Sequence, residues 1–171
     1  MDASNTSVVS LAQGLPTVEK CVKDHGRWPM VLDPAGTLGT FFKYKASHFP
    51  AFDFEAKTRD FDMMAIRKSM VSSMAIGSVF VLDFDVFKDF NLRKYLNPEF
   101  FTDDVTDPAK FLSQETITKV DSLHRDTVQA AIGVDRYIPY NTEFVLCVYF
   151  HSDTPPEWAK DFNFQYIKIE Q

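Results

Sequence analysis

Residues 33–40 have the composition of a loop that could bind a phosphate group. They read Asp-Pro-Ala-Gly-Thr-Leu-Gly-Thr and follow an apolar run at 28–32. Glycines let backbone N–H groups approach an anion, and a helix that begins after such a loop directs the positive end of its dipole at the same anion. The chemistry that this stretch could support is therefore phosphate or nucleotide binding.

The loop lacks the residues that make nucleotide binding tight. A working phosphate loop reads Gly-x-x-x-x-Gly-Lys-[Ser/Thr], in which the lysine neutralises the phosphates and the hydroxyl ligates magnesium. Here no lysine precedes Thr40, and Asp33 adds a negative charge that would repel a triphosphate. The nearest cation, Lys43, falls about one turn into the following helix. We therefore expect no nucleotide hydrolysis and no bound cofactor.

Asp83 is the second candidate for phosphate chemistry. It ends the apolar run 79–82 and resembles the metal-binding Asp of a Walker B strand. Asp85 would lie on the same side of an extended strand, so paired acid–base chemistry is conceivable. We favour a simpler interpretation, in which acidic residues mark the point where a buried strand meets water. The alternative function is a nucleotide-binding switch or ATPase that uses Gly36, Gly39, Thr40 and Asp83.

No other pattern in the sequence indicates a catalytic or metal site. The four histidines lie far apart with no i, i+4 pair, which argues against a metal centre. No Gly-x-Ser-x-Gly nucleophile motif occurs, and His151-Ser152-Asp153 is interpreted as a turn after a strand. We predict no catalytic residues and no metal, and we expect a protein that is not an enzyme.

The elements that would position these residues alternate between strand and helix. Apolar runs at 28–32, 78–85 and 144–150 predict buried strands, and the segment that ends at Gly77 has the clearest helical periodicity. This order predicts an α/β fold, a three-layer sandwich with a mostly parallel sheet and right-handed crossovers. The alternating segment 162–169 predicts an edge strand with one wet face. Residues 1–14 are expected to form a flexible arm.

Composition narrows the possible partners. The chain has 171 residues, 45% hydrophobic content, a net charge of −6 and a pI near 5.1. These values predict one globular domain and argue against nucleic-acid or anionic-membrane partners, which need clustered lysine and arginine. Two cysteines set among apolar residues and the lack of any long apolar segment indicate an intracellular, soluble protein.

The chain resembles the fifth AAA+ module of dynein heavy chains, a ring unit that does not hydrolyse ATP. The family begins with Leu-Pro, a short helix, and then a block of the type Arg-Trp-Pro-x-x-x-Asp-Pro-x-Gly. This sequence has Leu15-Pro16 and then Gly26-Arg27-Trp28-Pro29-Met30-Val31-Leu32-Asp33-Pro34-Ala35-Gly36. Weaker similarities follow in the same order, at 61–77, Leu96-Asn97-Pro98, 138–146 and Asp153-Thr154-Pro155-Pro156-Glu157.

The resemblance implies an AAA+-like topology with a degenerate phosphate loop over a single module at 15–171. Residues 102–126 do not fit the family pattern and are interpreted as an insert. The implied function is that of a non-catalytic structural and interaction module in the cytoplasm, associated with the cytoskeleton, microtubules or the axoneme of a cilium or flagellum. A small-molecule pocket at the carboxyl ends of the strands is a third possibility.

The aromatic content suggests where protein partners would bind. The sequence has 17 phenylalanines, more than one core normally uses. We expect an exposed interaction surface beside the acidic insert, formed by Phe100, Phe101, Trp158 and Phe162.

Overall fold

The computed structural model describes residues 5–50, 63–89, 103–113 and 141–170, and at 63–68 it describes the backbone alone. It confirms the predicted α/β class with a parallel sheet. The strands are β1 (Thr6–Val9), β2 (Pro29–Leu32), β3 (Ser47–Pro50), β4 (Val79–Asp83), β5 (Val145–Phe150) and β6 (Gln165–Ile169). The helices are α1 (Leu11–His25), α2 (Leu38–Lys45), α3 (Met63–Ile76) and the single turn α4 (Pro108–Phe111), with 3-10 turns at Asp103–Thr106 and Glu157–Asp161.

The strands form one six-stranded sheet in the order β1-β6-β2-β5-β4-β3, and every pairing is parallel. All residues of β2, β4 and β5 are buried, as their continuous apolar sequences predict. Val31 of β2 lies between Tyr149 of β5 and Ile167 of β6. The strand that leads into the glycine loop therefore lies inside the sheet.

Two helices end at a glycine. Gly26 follows α1 with a φ of 64°, and its N–H donates to the Val22 carbonyl at 2.8 Å. Gly77 follows α3 with a φ of 70°, which confirms the helix end predicted there. Both residues adopt the left-handed conformation that glycine tolerates best.

The prediction of a flexible arm at 1–14 is wrong for the described residues of that segment. Residues 6–9 form β1, which pairs with β6, and α1 begins at Leu11. The helix runs through Pro16, which is exposed, and its N-cap is Ser10. The segment is ordered because β6 supplies a backbone partner that its own short apolar patch did not reveal.

The prediction that the last strand lies at an edge is also wrong. β6 lies between β1 and β2, and four of its five residues are buried. The polar residues Gln165 and Lys168 do not give β6 a fully solvent-exposed face. The Gln165 side chain donates to the Ser7 hydroxyl at 3.2 Å, and Lys168 is half-buried.

The segment at 103–113 packs against the sheet through Trp28. The indole N–H of Trp28 donates to the Val105 carbonyl at 2.8 Å, and its ring meets Phe111 and Phe144 edge-on. Asp107 caps α4 by accepting the N–H groups of Ala109 and Lys110. The part of the predicted 102–126 insert that the structure describes is thus anchored to the core. The remainder lies outside the described residues, as do Phe100 and Phe101 of the predicted interaction surface.

Candidate functional site

The carboxyl ends of β2, β5 and β4 lie side by side and bring the candidate residues together. Backbone hydrogen bonds continue past the strands. The Asp33 N–H donates to the Phe150 carbonyl at 2.9 Å, and the His151 N–H donates to the Asp85 carbonyl at 2.8 Å. Open parallel sheets usually bind ligands at this edge. Of the residues predicted for nucleotide binding, Gly36, Gly39 and Asp83 lie here.

The Asp33 carboxylate binds the start of the helix that follows the loop. Asp33 is only 1% exposed, and its Oδ2 atom accepts the Leu38 N–H at 2.7 Å. The same oxygen accepts the Tyr149 hydroxyl at 2.8 Å, and the Tyr149 oxygen in turn accepts the Gly39 N–H at 3.0 Å. Two backbone donors at the beginning of α2 are therefore satisfied by oxygens of the chain itself.

Tyr149 is held in its protonated form. Burial, and then the hydrogen bond and negative charge of Asp33, raise the pKa of Tyr149 well above its ordinary value. A protonated phenol can donate to the carboxylate while it accepts from Gly39. The second oxygen of Asp33, Oδ1, is buried and has no hydrogen-bond partner among the residues that the structure describes. The loop thus contains a buried carboxylate that receives only part of its possible hydrogen bonds.

Two aromatic side chains fill the space beside the loop glycines. A Cβ atom on Gly39 would lie 3.2 Å from the Tyr149 ring, and a Cβ on Gly36 would lie 3.2 Å from the His151 ring. Gly36 also has a φ of 68°, and its N–H donates to the Asp33 carbonyl at 3.0 Å in a tight turn. The absence of a side chain at these two glycines therefore leaves room for the rings of Tyr149 and His151.

Asp83 is also occupied by protein groups. Its Oδ2 lies 2.8 Å from His48 Nε2, and its Oδ1 accepts the Asp85 N–H at 2.8 Å. His151 joins the cluster through a 2.9 Å contact between its Nδ1 and Asp85 Oδ1. The Nε2 atom of His151 lies 3.7 Å from Asp83 Oδ1 and makes no hydrogen bond within the described ranges. Each oxygen of the Asp83 carboxylate thus already contacts a group of the chain itself.

The cluster does not amount to a metal centre. Among residues 5–50, 63–89, 103–113 and 141–170, no group of three or more His, Cys, Asp or Glu side chains is placed to hold a metal ion. Thr40, the remaining residue predicted for nucleotide binding, lies exposed on α2, as does Lys43.

Sequence reasoning missed Tyr149 and His48. Tyr149 lies within the most β-prone run of the chain, and its neighbours there are apolar or aromatic. A hydroxyl in a strand that is buried throughout requires a polar partner, and this requirement was the available signal. His48 carried no comparable signal, because its partner Asp83 is 35 positions away.

The predicted aromatic surface is not supported at its two described members. Phe162 is buried, and Trp158 is half-buried against the core. The Trp158 ring packs against Phe84, Phe150, Phe162 and Phe164, with ring centroids 5.6–6.4 Å apart. These rings stabilise the end of the sheet, so the prediction of exposure is wrong for Phe162 and overstated for Trp158.

Comparisons of the chain with protein-family models, with curated proteins and with solved structures gave no match. Within the described ranges, no helix combines the length and the apolar character needed to cross a membrane.

Proposed function

We propose that this chain is a non-catalytic structural and interaction module, derived from a nucleotide-binding AAA+ unit of the dynein type. One observation carries the proposal. The N–H groups of Leu38 and Gly39, which begin the helix after the glycine loop, are bound by Asp33 and Tyr149 of the same chain. A nucleotide phosphate would have to displace this buried carboxylate, and the loop has no lysine to neutralise the phosphate charge.

The sheet topology supports the AAA+ part of this proposal. The loop strand β2 is central, the strand that ends in Asp83 lies two positions away, and β5 runs between them. In nucleotide-binding α/β proteins the phosphate loop and the metal-binding Asp both lie at the carboxyl ends of strands of one sheet. The arrangement is that expected of a module that kept the architecture while its loop lost the binding chemistry.

Calorimetric titration with ATP, ADP and GTP in the presence of magnesium tests the loss of nucleotide binding. We expect no saturable heat for the unmodified chain. The Asp83→Ala variant is the control, because it removes the carboxylate that the nucleotide-binding alternative requires. Saturable binding that disappears in Asp83→Ala would overturn the proposal and establish the alternative.

The cellular context follows from the resemblance alone and is proposed on that basis. We expect the tagged chain, expressed in a ciliated cell, to remain with the axonemal or microtubule fraction after detergent extraction. Partners would then be axonemal or microtubule-associated proteins. Complete release of the folded chain into the detergent-soluble fraction would contradict this assignment without bearing on the nucleotide result.

A further inference from the structure

The loop that follows β5 carries the single threonine-proline dipeptide of the sequence. Thr154 precedes Pro155, and no other serine or threonine among the 171 residues is followed by proline. Protein kinases of the proline-directed class act on a serine or threonine with proline next in the chain. Because proline has no N–H, it leaves no backbone donor unpaired in the kinase cleft. The sequence therefore offers one acceptor hydroxyl to this class of enzyme.

Thr154 lies at the surface, in a loop that an enzyme can reach. Asp153 and Thr154 are exposed, and they belong to neither a helix nor a strand. The turn at this point is local, because the Ser152 hydroxyl donates to the Thr154 carbonyl at 3.0 Å and accepts the Thr154 N–H at 3.2 Å. Both hydrogen bonds belong to one side chain at the surface. The turn can therefore open while β5 and the buried Pro156 stay in place.

A cation of the neighbouring loop already contacts the acceptor oxygen. Lys88, which follows β4, donates from Nζ to Thr154 Oγ1. This contact with a neutral hydroxyl is exposed and weak, so it does not shield the oxygen. A phosphate there would carry about two negative charges and would form a charge-assisted pair with the same ammonium group. Asp153 and Asp89 flank the two residues and would repel the phosphate, but both are exposed and solvent screens them.

We propose that Thr154 is a phosphorylation site for a proline-directed protein kinase, and that its phosphate joins the loops after β4 and β5 through Lys88. The kinase transfers the γ-phosphoryl group of ATP. A bond forms between Thr154 Oγ1 and phosphorus, the bond from phosphorus to the β,γ-bridging oxygen breaks, and ADP leaves. The hydroxyl proton passes to the catalytic aspartate of the kinase. The inference goes beyond the proposed function and uses neither Asp33 nor Tyr149.

Incubation of the folded full chain with magnesium-ATP and either a cyclin-dependent or a mitogen-activated protein kinase tests the site. Mass spectrometry of the unmodified chain should place one phosphate on Thr154, whether or not variants fold. Thr154→Ala should abolish incorporation, whereas Ser152→Ala removes the neighbouring hydroxyl and should retain it. Pro155→Ala keeps the acceptor and should lower kcat/KM by about tenfold or more. No incorporation into the folded chain, or equal kcat/KM for Pro155→Ala, would overturn the proposal.

Hydrogen exchange tests the contact between the phosphate and Lys88. The His151 amide donates to the Asp85 carbonyl at 2.8 Å and so reports on the two loops. Phosphorylation should slow its exchange by about two- to fivefold, and Lys88→Ala should remove this slowing. Lys110→Ala is the matched control, because Lys110 is an exposed lysine on α4, and it should leave the slowing intact. Equal slowing in Lys88→Ala and in the unmodified chain would overturn the role of Lys88.

Discussion

The hydroxyl of Tyr149 donates to the carboxylate of Asp33 at 2.8 Å, across 116 positions of sequence. The contact joins Tyr149, near the carboxyl end of β5, to Asp33, the residue that follows β2. It also places the Tyr149 oxygen where it accepts the Gly39 N–H. A single phenol therefore connects two strands and the start of a helix, and its removal should destabilise all three elements.

The first prediction concerns this phenol. Tyr149→Phe keeps the ring but leaves the Gly39 N–H and Asp33 Oδ2 with fewer partners, so the free energy of unfolding should fall by about 1–3 kcal/mol. Urea denaturation measures the change. Tyr44→Phe is the matched control, because Tyr44 is 84% exposed, and it should alter stability by less than about 0.5 kcal/mol. Equal effects of the two substitutions would contradict the role assigned to Tyr149.

The second prediction concerns alkaline pH. The folded chain raises the pKa of Tyr149 above its ordinary value of 10.0, so the folded state retains a proton that the unfolded state loses. Its stabilisation is complete below pH 10 and is lost as the pH rises further, by up to about 1.4 kcal/mol per pH unit. Tyr149→Phe should remove this part of the pH dependence.

Cys21 contributes a separate loss of stability in the same direction. Burial, with a further effect from Asp24, raises the pKa of Cys21 from 9.0 to about 12. Because this loss is common to both proteins, comparing unfolding curves of the unmodified chain and Tyr149→Phe between pH 9 and pH 11 isolates the phenol. Parallel pH profiles would show that Tyr149 titrates as freely in the folded chain as in the unfolded one.

The third prediction concerns the contact between His48 and Asp83. Both side chains are 9% exposed, and the contact joins β3 to β4. A double-mutant cycle with His48→Ala and Asp83→Ala should give a coupling of about 0.5–3 kcal/mol in the free energy of unfolding. The exposed pair Glu157 and Lys160 serves as the comparison and should show no measurable coupling, because solvent screens it. Additive effects at His48 and Asp83 would contradict the prediction.

The fourth prediction separates backbone conformation from crowding at the loop. Gly36 and Gly26 both have a positive φ, of 68° and 64°, so alanine at either position should cost about 1 kcal/mol in backbone strain. A Cβ at Gly26 meets no atom of the described residues within 4 Å, whereas at Gly36 it meets the His151 ring at 3.2 Å. Gly36→Ala should therefore destabilise the chain more than Gly26→Ala. Equal losses would mean that His151 moves aside freely.

The sequence was sufficient to predict the elements whose signals are local. The apolar runs identified β2, β4 and β5, and the parallel arrangement implied that Gly36 and Asp83 reach the same edge of the sheet. The absence of the phosphate-loop lysine before Thr40 was also evident from its own segment. Each of these inferences needs only the residues of one segment and a general rule about parallel sheets.

The remaining features depend on partners distant in sequence. The four residues of β1 have too little periodicity to identify a strand, and they are ordered by pairing with β6. The alternating sequence of β6 predicted one solvent-exposed face. The hydrogen bond between the buried Gln165 and Ser7 could not be inferred from either segment alone. For the same reason, the sequence predicted that Asp33 would repel a phosphate but not that Tyr149 and Leu38 bind its carboxylate.

The position of β2 has a consequence for the order in which the chain folds during synthesis. β2 (29–32) is translated well before its two neighbours, β5 and β6, which are made of residues 145–150 and 165–169. More than 100 residues must therefore be translated before the central strand can pair on either side, at the cost of closing a long loop. Until then an apolar strand lacks its neighbours, which slows folding and gives chaperones a segment to bind.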